Sequence, residues 1–290
     1  MATRSRTPWI LLSAAALALC VTTARAAPID EELASFDARQ DIRALGMGGG
    51  TVSQARGADA VSTNPAGLAA LAGSEIAASG GYRNIAANAR LGADTTDASV
   101  GNLRLGHLAL AYRGEDTSRW GVGATFGSVR SLDANIETAG IETLGDFARF
   151  DVFERRDTVG DVYALSLGVG VEVARGVRVG VATDFLEGDR DRSLLFDASD
   201  ISNVDPELDF ALFDDVVTRT VSATRLRFGL EVAVVPGLAV GATVAAPYEY
   251  DIVEDWLQRT RFDFDDGSDL RETDSGVTGY RLSVPAAYSG

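Results

Sequence analysis

Few residues in this 290-residue chain have the types and spacing that catalysis or metal binding requires. His107 is the only histidine and Cys20 the only cysteine. Metal centres and activated nucleophiles usually combine several such groups. The G-x-S-x-G turn of serine hydrolases does not occur in the sequence. A single histidine without an obvious partner is more often a packed or interfacial residue. The sequence therefore predicts no enzyme, no bound metal and no cofactor.

Acidic residues are the one abundant source of polar chemistry. The formal net charge is −16, and it becomes −19 without the three arginines of the first 26 residues. Such a chain is a poor partner for nucleic acid, whose phosphates attract Lys and Arg. Asp263, Asp265, Asp266 and Asp269 surround Gly267 and faintly resemble a calcium loop. The twelfth-position Glu of the EF-hand pattern is missing, so solvated acids are the default interpretation.

The N-terminus has the pattern of an export signal. Arg4 and Arg6 precede an apolar stretch at 9–21, and a small-x-small site follows at Ala24-Arg25-Ala26. Thirteen apolar residues are fewer than the ~20 that a spanning helix needs. We therefore expect residues 1–26 to be a signal peptide that is cleaved near Ala26. A lipoprotein anchored through Cys20 is a weaker alternative, because bulky Leu19 precedes it.

Beyond the signal, apolar residues alternate with polar or small ones in eight runs. The gaps between these runs are alternately long and short, and the long ones are 83–103, 131–159, 188–218 and 251–277. An up-and-down barrel of an outer membrane has this layout, with tight turns on one side and long loops on the other. The runs are 74–82, 104–113, 119–130, 160–174, 176–187, 219–234, 238–250 and 278–288.

The two faces of each run differ in a way that favours a barrel. In the run 160–174, leucine and valine occupy one face and glycine and serine occupy the other. The small residues indicate an interior against which another segment packs closely. A soluble two-sheet sandwich also alternates. However, aromatic residues cluster at the ends of the runs, as in the girdles of membrane barrels. These residues are Tyr82, Tyr112, Trp120, Phe185, Tyr248, Tyr250 and Tyr280.

Residues 36–73 do not have a strand pattern. They contain most of a short helix-like stretch that spans 33–45. Glycines at 46 and 48–50 and the turn Asn64-Pro65-Ala66-Gly67 follow it. The glycines do not form a dinucleotide fingerprint, because the spacing is G-x-G-x-G and no strand precedes it. The alternative interpretation of Asn64–Gly67 is an ordinary turn, because Asn, Pro and Gly favour turns by themselves. Placed before a barrel, a compact small-residue segment predicts a plug.

Two stretches resemble the FadL/TodX family of outer-membrane transporters. They are R-A-L-G-M-G-G-G at 43–50 and A-D-A-V-S-T-N-P-A-G-L at 58–68. The resemblance implies an N-terminal hatch (27–73) that plugs a transmembrane barrel (74–290). It implies a hatch motif of Gly48, Gly49, Asn64, Pro65 and Ala66, with Asn-Pro-Ala matching residue by residue. It also implies passive transport of long-chain fatty acids or other hydrophobic molecules across a Gram-negative outer membrane. Membrane lipid, lipopolysaccharide and the barrel assembly machinery are the implied partners.

The family barrel has fourteen strands, whereas seven full strands and the start of an eighth precede Gly290. We therefore expect the sequence to be part of a longer chain. The alternative is a complete eight-stranded barrel, whose interior side chains would fill. Related barrels with a similar N-terminal signature serve secretion or surface attachment, so a structural scaffold is the second functional hypothesis. An apolar path from loops to hatch would favour transport, and a blocked, charged interior would favour the scaffold.

The predicted loops 188–218 and 251–277 mix acids with large apolar residues. Exposed apolar clusters of this density usually mark a contact surface. In FadL-like proteins the corresponding loops form a groove that captures the ligand, so the resemblance implies the same role here. The alternative is that the apolar residues serve only to pack amphipathic loop helices on each other. The predicted capture residues are Leu194, Leu195, Phe196, Phe210, Leu212, Phe213, Trp256, Leu257 and Phe262.

Overall fold

The structure is a computed structural model that describes residues 57–91, 94–114, 119–131, 133–144, 148–201, 208–235 and 238–289. The predicted signal peptide, the helix-like stretch 33–45, Gly48 and Gly49 lie outside these residues. In the described part of the chain, no helix is both long and apolar enough to cross a membrane.

The chain is all-β and antiparallel, as predicted. Two short 3-10 helices, Ala58–Val61 and Pro65–Ala70, precede the strands. The strands are β1 (Glu75–Leu91), β2 (Asp94–Arg113), β3 (Trp120–Ser131), β4 (Ala134–Leu144), β5 (Ala148–Ala174), β6 (Val177–Asp200), β7 (Phe210–Val235), β8 (Leu238–Ala245), β9 (Tyr248–Asp263), β10 (Asp269–Val284) and β11 (Ala287–Ser289).

These strands form one up-and-down meander. The order β1-β2-β3-β5-β6-β7-β8-β11 runs through the sheet, and β4 and β9 continue β3 and β8 along β5 and β7. The break between β8 and β9 contains Pro247, and the break before β11 contains Pro285. Proline has no N–H for the ladder, which explains both interruptions. Each pair of pieces is one long strand with a kink, so the described chain makes the eight passes predicted from the sequence.

The prediction of long irregular loops is wrong. The segments 83–103, 131–159, 188–218 and 251–277 consist mostly of strand, and β5 and β7 reach 27 and 26 residues. The hairpins β5–β6 and β7–β9 stay in register almost to their distal ends. In these distal parts charged residues occur on both faces, so the apolar alternation that marks a strand in sequence disappears. The short turn at Arg175-Gly176 is confirmed, with Gly176 at φ 77°.

The outer face of the sheet carries an apolar belt near the short turns. On β5 its members are Leu165, Leu167, Val169, Val171 and Val173, all exposed. Aromatic residues border the belt. Tyr112 and Trp120 lie at one margin with ring centroids 6.2 Å apart, and Phe126 stacks on Tyr163 at the other, with centroids 5.7 Å apart. Three predicted girdle residues, Tyr248, Tyr250 and Tyr280, instead pack on the inner face in or against a core cluster with Leu186 and Ile252.

Candidate functional site: the hatch seat

Four neighbouring strands each place a glycine in the same row of the inner face. Gly121 pairs with Gly170, Gly170 with Gly180, and Gly180 with Gly229. We call this row the glycine rung. It faces the second 3-10 helix, which belongs to the hatch segment (residues 57–72). The hatch segment contacts β1, β2, β3, β5, β6 and β7, so the sheet curves around it.

Glycine is required in the rung because the hatch backbone leaves no room for a side chain. A Cβ on Gly170 would lie 2.5 Å from the carbonyl oxygen of Pro65, and one on Gly180 would meet the same oxygen at 2.5 Å. A Cβ on Gly229 would collide with the side chain of Asn64. Atoms do not approach so closely, so any larger residue displaces either the hatch segment or the strand. This is the close packing that the small-residue strand faces predict.

Asn64 connects the hatch segment to the wall and is fully buried. Its Oδ1 accepts a hydrogen bond from the Ala66 N–H at 3.1 Å, which caps the second 3-10 helix. Its Nδ2 donates to the carbonyl oxygen of Leu230 on β7 at 3.1 Å. Pro65 at the first helical position has the φ value that a helix start needs. The Asn-Pro-Ala triplet thus shapes the turn and also binds it to a strand.

A buried ion cluster holds the other side of the hatch segment. Asp184 on β6 is 0% exposed and receives Arg225 Nε at 2.9 Å and Arg227 Nε at 2.8 Å. Arg227 Nη2 also donates to Asp184 Oδ1 at 2.7 Å and to the carbonyl oxygen of Val61 at 2.8 Å, and its Nη1 donates to the carbonyl oxygen of Ser62. Arg227 therefore bridges a wall carboxylate and two hatch carbonyls.

His107 forms a third link, between the first 3-10 helix and the β1–β2 hairpin. Its Nε2 lies 2.5 Å from Asp59 Oδ1, and its Nδ1 lies 2.6 Å from Ser79 Oγ. These are the residue types of a Ser-His-Asp triad. However, the His107 backbone N–H donates to the same Ser79 Oγ at 3.1 Å, so that oxygen is engaged from two sides. We interpret the arrangement as a tether for the hatch segment, in line with the interfacial histidine predicted from the sequence.

We expect Asp59→Asn to loosen the tether without unfolding the sheet. The amide can still bond to His107, but the charge-assisted contact, which is about twice as strong as a neutral one, is lost. Limited proteolysis of the folded protein should then cleave near residues 57–63 several times faster than in the wild type. Asp251→Asn, at an exposed ion pair with Arg281, serves as the matched control. Equal cleavage rates in Asp59→Asn and the wild type would contradict the tether.

A second charged group lies nearer the short turns. Arg178 Nη1 donates to Glu231 Oε1 at 2.6 Å, and Glu172 accepts from the Gly176 N–H at 2.9 Å. Glu231 is only 1% exposed. Together with Arg225 and Arg227, these are inward-facing charges, as the strand alternation indicated. They make the inner face near the hatch segment hydrophilic.

The predicted capture residues lie on strands β6, β7 and β9 and divide between two faces. Phe196, Phe213 and Phe262 share the inner face, with successive ring centroids 6.0 and 5.5 Å apart. Leu194 and Trp256 are also on the inner face, by register with Asp215 and Val217. The other four lie on the opposite face: Leu195, Phe210, Leu212 and Leu257. The pleat of a strand therefore separates residues that a loop would have brought together.

The acids of the distal β9–β10 turn are engaged within the turn. Arg261 Nη2 binds Asp263 at 2.6 Å, and Arg271 Nε binds Asp269 at 2.8 Å. The hydroxyl and N–H of Ser268 donate to Asp266, and they lower the pKa of that carboxyl. No group of three or more metal-binding side chains that could hold an ion is found among the described residues. These contacts account for Asp263, Asp266 and Asp269 as turn and ion-pair residues.

Comparison with known proteins gives weak structural likenesses only, and one of them is to a channel protein. No family model matches the sequence, and no curated protein matches it. A solved structure titled "CymD monoaromatic hydrocarbon channel" is similar to this chain with a TM-score of 0.25 and 11% sequence identity. The match covers 83% of this chain and 97% of that one. At this level of similarity we draw no argument from it.

Sequence reasoning found Asn64, Pro65 and Ala66 but missed their partners. Asp184 and the clamping role of Arg227 were not singled out, because a hydrogen bond between residues 165 or 166 positions apart leaves no local pattern. Of the four rung glycines, the alternation in the run 160–174 places Gly170 on a small-residue face. The alignment of all four in one row depends on the register of three strand pairs, which the sequence does not state.

Proposed function

We propose that the protein resides in the outer membrane of a Gram-negative bacterium and mediates passive uptake of hydrophobic small molecules such as long-chain fatty acids. The observation that carries this proposal is the hatch segment, seated on the concave face of a sheet whose outer face is apolar. From Tyr163 to Val173 the belt covers about 25 Å at ordinary strand rise and tilt, which matches the apolar band of membrane barrels.

The contacts of the hatch segment suit a plug that can move. Apart from the buried ion cluster and the His107–Asp59 contact, they are single hydrogen bonds, close contacts with glycines, and apolar packing of Val61 and Leu68 on two alanines of β2. Each neutral hydrogen bond contributes about 1 kcal/mol. A ligand that enters from the distal end and contacts the hatch segment can therefore shift it at moderate cost. The mechanism needs no nucleotide, and a concentration gradient provides the driving force.

The interior also supports the second hypothesis, a structural scaffold. Moving from the distal tips toward the hatch segment, the inner face changes from the phenylalanine cluster to a charged pocket, then to an apolar cluster around Leu186 and Ile252, then to the Asp184 ion cluster. Two charged layers interrupt the apolar path. This favours a closed barrel that anchors other components, unless the hatch segment and the charged side chains move together.

We expect Asn64→Ala to reduce uptake of a radiolabelled long-chain fatty acid by cells that depend on this protein by about tenfold or more. The substitution removes both the cap on the second 3-10 helix and the bond to Leu230, so the hatch turn loses its shape while Arg227 and His107 still hold the segment in place. Thr273→Ala, on an exposed part of β10 outside the interior pocket, is the control. Undiminished uptake in Asn64→Ala cells with normal protein levels would remove the case for transport through the hatch and leave the scaffold.

A further inference from the structure

A pocket of about 410 Å³ lies on the inner face of the distal strands, well away from the hatch seat. Three successive rows of paired residues on β6, β7, β9 and β10 line it. The first row holds Arg190, Arg219, Glu254 and Thr278, the second Arg192, Val217 and Trp256, and the third Asp215, Gln258 and Asp274. Its volume lies within the ~300–1,000 Å³ typical of small-molecule sites. The pocket is distinct from the hatch motif and from the cluster of Phe196, Phe213 and Phe262.

The arginines of this pocket have more donors than the nearby carboxylates occupy. Asp215 receives Arg192 Nη2 at 2.9 Å, and Glu254 receives Arg219 Nε at 2.9 Å. Arg192 Nε and Arg219 Nη1 are buried and have no hydrogen-bond partner among the described residues. Arg219 as a whole is 7% exposed. Buried donors are almost always satisfied in folded proteins, so these two nitrogens can bind an acceptor from outside the chain.

The side of the pocket formed by β9 and β10 adds one aromatic surface among polar residues. Trp256 lies in the same row as Val217, and its ring covers Gly276, where a Cβ would come within 2.9 Å of the indole. The next row toward the membrane belt holds Ile252 and Tyr280, and the Tyr280 ring lies 5.9 Å from the Arg219 guanidinium carbon. Asp274 is at the exposed rim. The lining therefore offers planar charged forks on one side and an indole ring on the other.

We propose that this pocket binds a small organic anion with a planar apolar body, with an aromatic carboxylate as the simplest example. The carboxylate accepts hydrogen bonds from Arg192 and Arg219, which suit a planar bidentate acceptor. The ring of the ligand packs on Trp256. The inference goes beyond the proposed function, because it assigns a ligand class to a site that does not contact the hatch segment. Binding and uptake can be tested separately.

Tryptophan fluorescence of the purified full-length protein in detergent tests this proposal. Benzoate is titrated against the uncharged isostere benzamide and against acetate, which lacks the ring. We expect a saturable signal change with benzoate at an affinity at least tenfold higher than with either of the other two. The signal should disappear in Trp256→Phe and remain in Trp120→Phe, because Trp120 lies at the membrane belt.

Two substitutions test the role of the Arg219 guanidinium group in binding separately from any effect on folding. Arg219→Lys keeps a positive charge beside Glu254 but loses the second guanidinium nitrogen, and we expect it to weaken benzoate binding about tenfold. Arg281→Lys, at an exposed ion pair with Asp251, should leave it unchanged. Equal binding of benzoate and benzamide, or unchanged benzoate affinity in a folded Arg219→Lys variant, would overturn the proposal. Loss of fatty-acid uptake in Asn64→Ala with intact benzoate binding would leave this proposal standing.

Discussion

Replacing Gly229 with valine is expected to expel the hatch segment from its seat. The Cβ alone collides with the Asn64 side chain and would lie 2.9 Å from Pro65 Cδ and 3.0 Å from the Ala66 nitrogen, and valine adds two methyl groups. The wall strand is bonded on both sides, to β6 and β8, so it cannot retreat. The hatch segment has weaker attachments and is the part that moves.

The measurement is the permeability of cells that produce the variant. An unplugged barrel should admit antibiotics that are too large for general porins, so sensitivity should rise by tenfold or more in dilution assays. Gly81→Val is the matched control, because a Cβ at Gly81 has no neighbour within 4 Å. Wild-type resistance in Gly229→Val cells, with the variant present in the membrane at normal level and the hatch segment still protected from protease, would contradict the glycine rung as the hatch seat.

The second large effect is expected from Asp184→Ala. Removal of this carboxylate leaves Arg225 and Arg227, which are 4% and 3% exposed, without their shared anion. Breaking a buried ion pair in this way typically costs about 3–5 kcal/mol, because charges remain in a site shielded from water. We expect the free energy of unfolding to fall by that amount, measured by urea denaturation in lipid vesicles.

Two control variants test whether the loss of stability comes from the burial of the ion pair or from the loss of any ion pair. Asp251→Ala breaks an ion pair with Arg281 in which the side chains are 64% and 70% exposed, so the change should stay within about 1 kcal/mol. Replacing Asp184, Arg225 and Arg227 together with leucine and two methionines removes the stranded charges. This triple variant should be more stable than Asp184→Ala, although the clamp on Val61 and Ser62 is lost. Equal stability of the Asp184→Ala and Asp251→Ala variants would refute the assignment.

The strands near the short turns were predictable because their two faces lie in different environments. In β5, the leucines and valines from Leu165 to Val173 face outward and the glycines face inward, so the alternation in sequence is clear. The β1–β2 hairpin was harder to assign, since a register shift between Ser79 and Gly80 changes which residues face inward near His107. Beyond the belt, charged residues occur on both faces and interrupt the apolar positions. The periodicity therefore disappears, and strands were mistaken for loops.

The candidate site was predictable only in its local part. The turn at Asn64 and Pro65 depends on neighbours within a few positions and leaves a pattern in sequence. The clamp from Arg227 to Val61 depends on the meander bringing β7 over the first 3-10 helix, and nothing near either residue signals it. The pocket around Arg219 and Trp256 likewise depends on four strands, and the sequence pattern predicted loops rather than strands in that region.

The glycine rung has a consequence for assembly. A slip of one position in any of the four strands turns a large neighbouring residue, such as Val169, Val179 or Phe228, toward the hatch segment in place of a glycine. We therefore expect the hatch segment to dock only on strands that have all found their native alignment. Docking would then select correctly paired strands during folding, because a misaligned sheet would lack this contact.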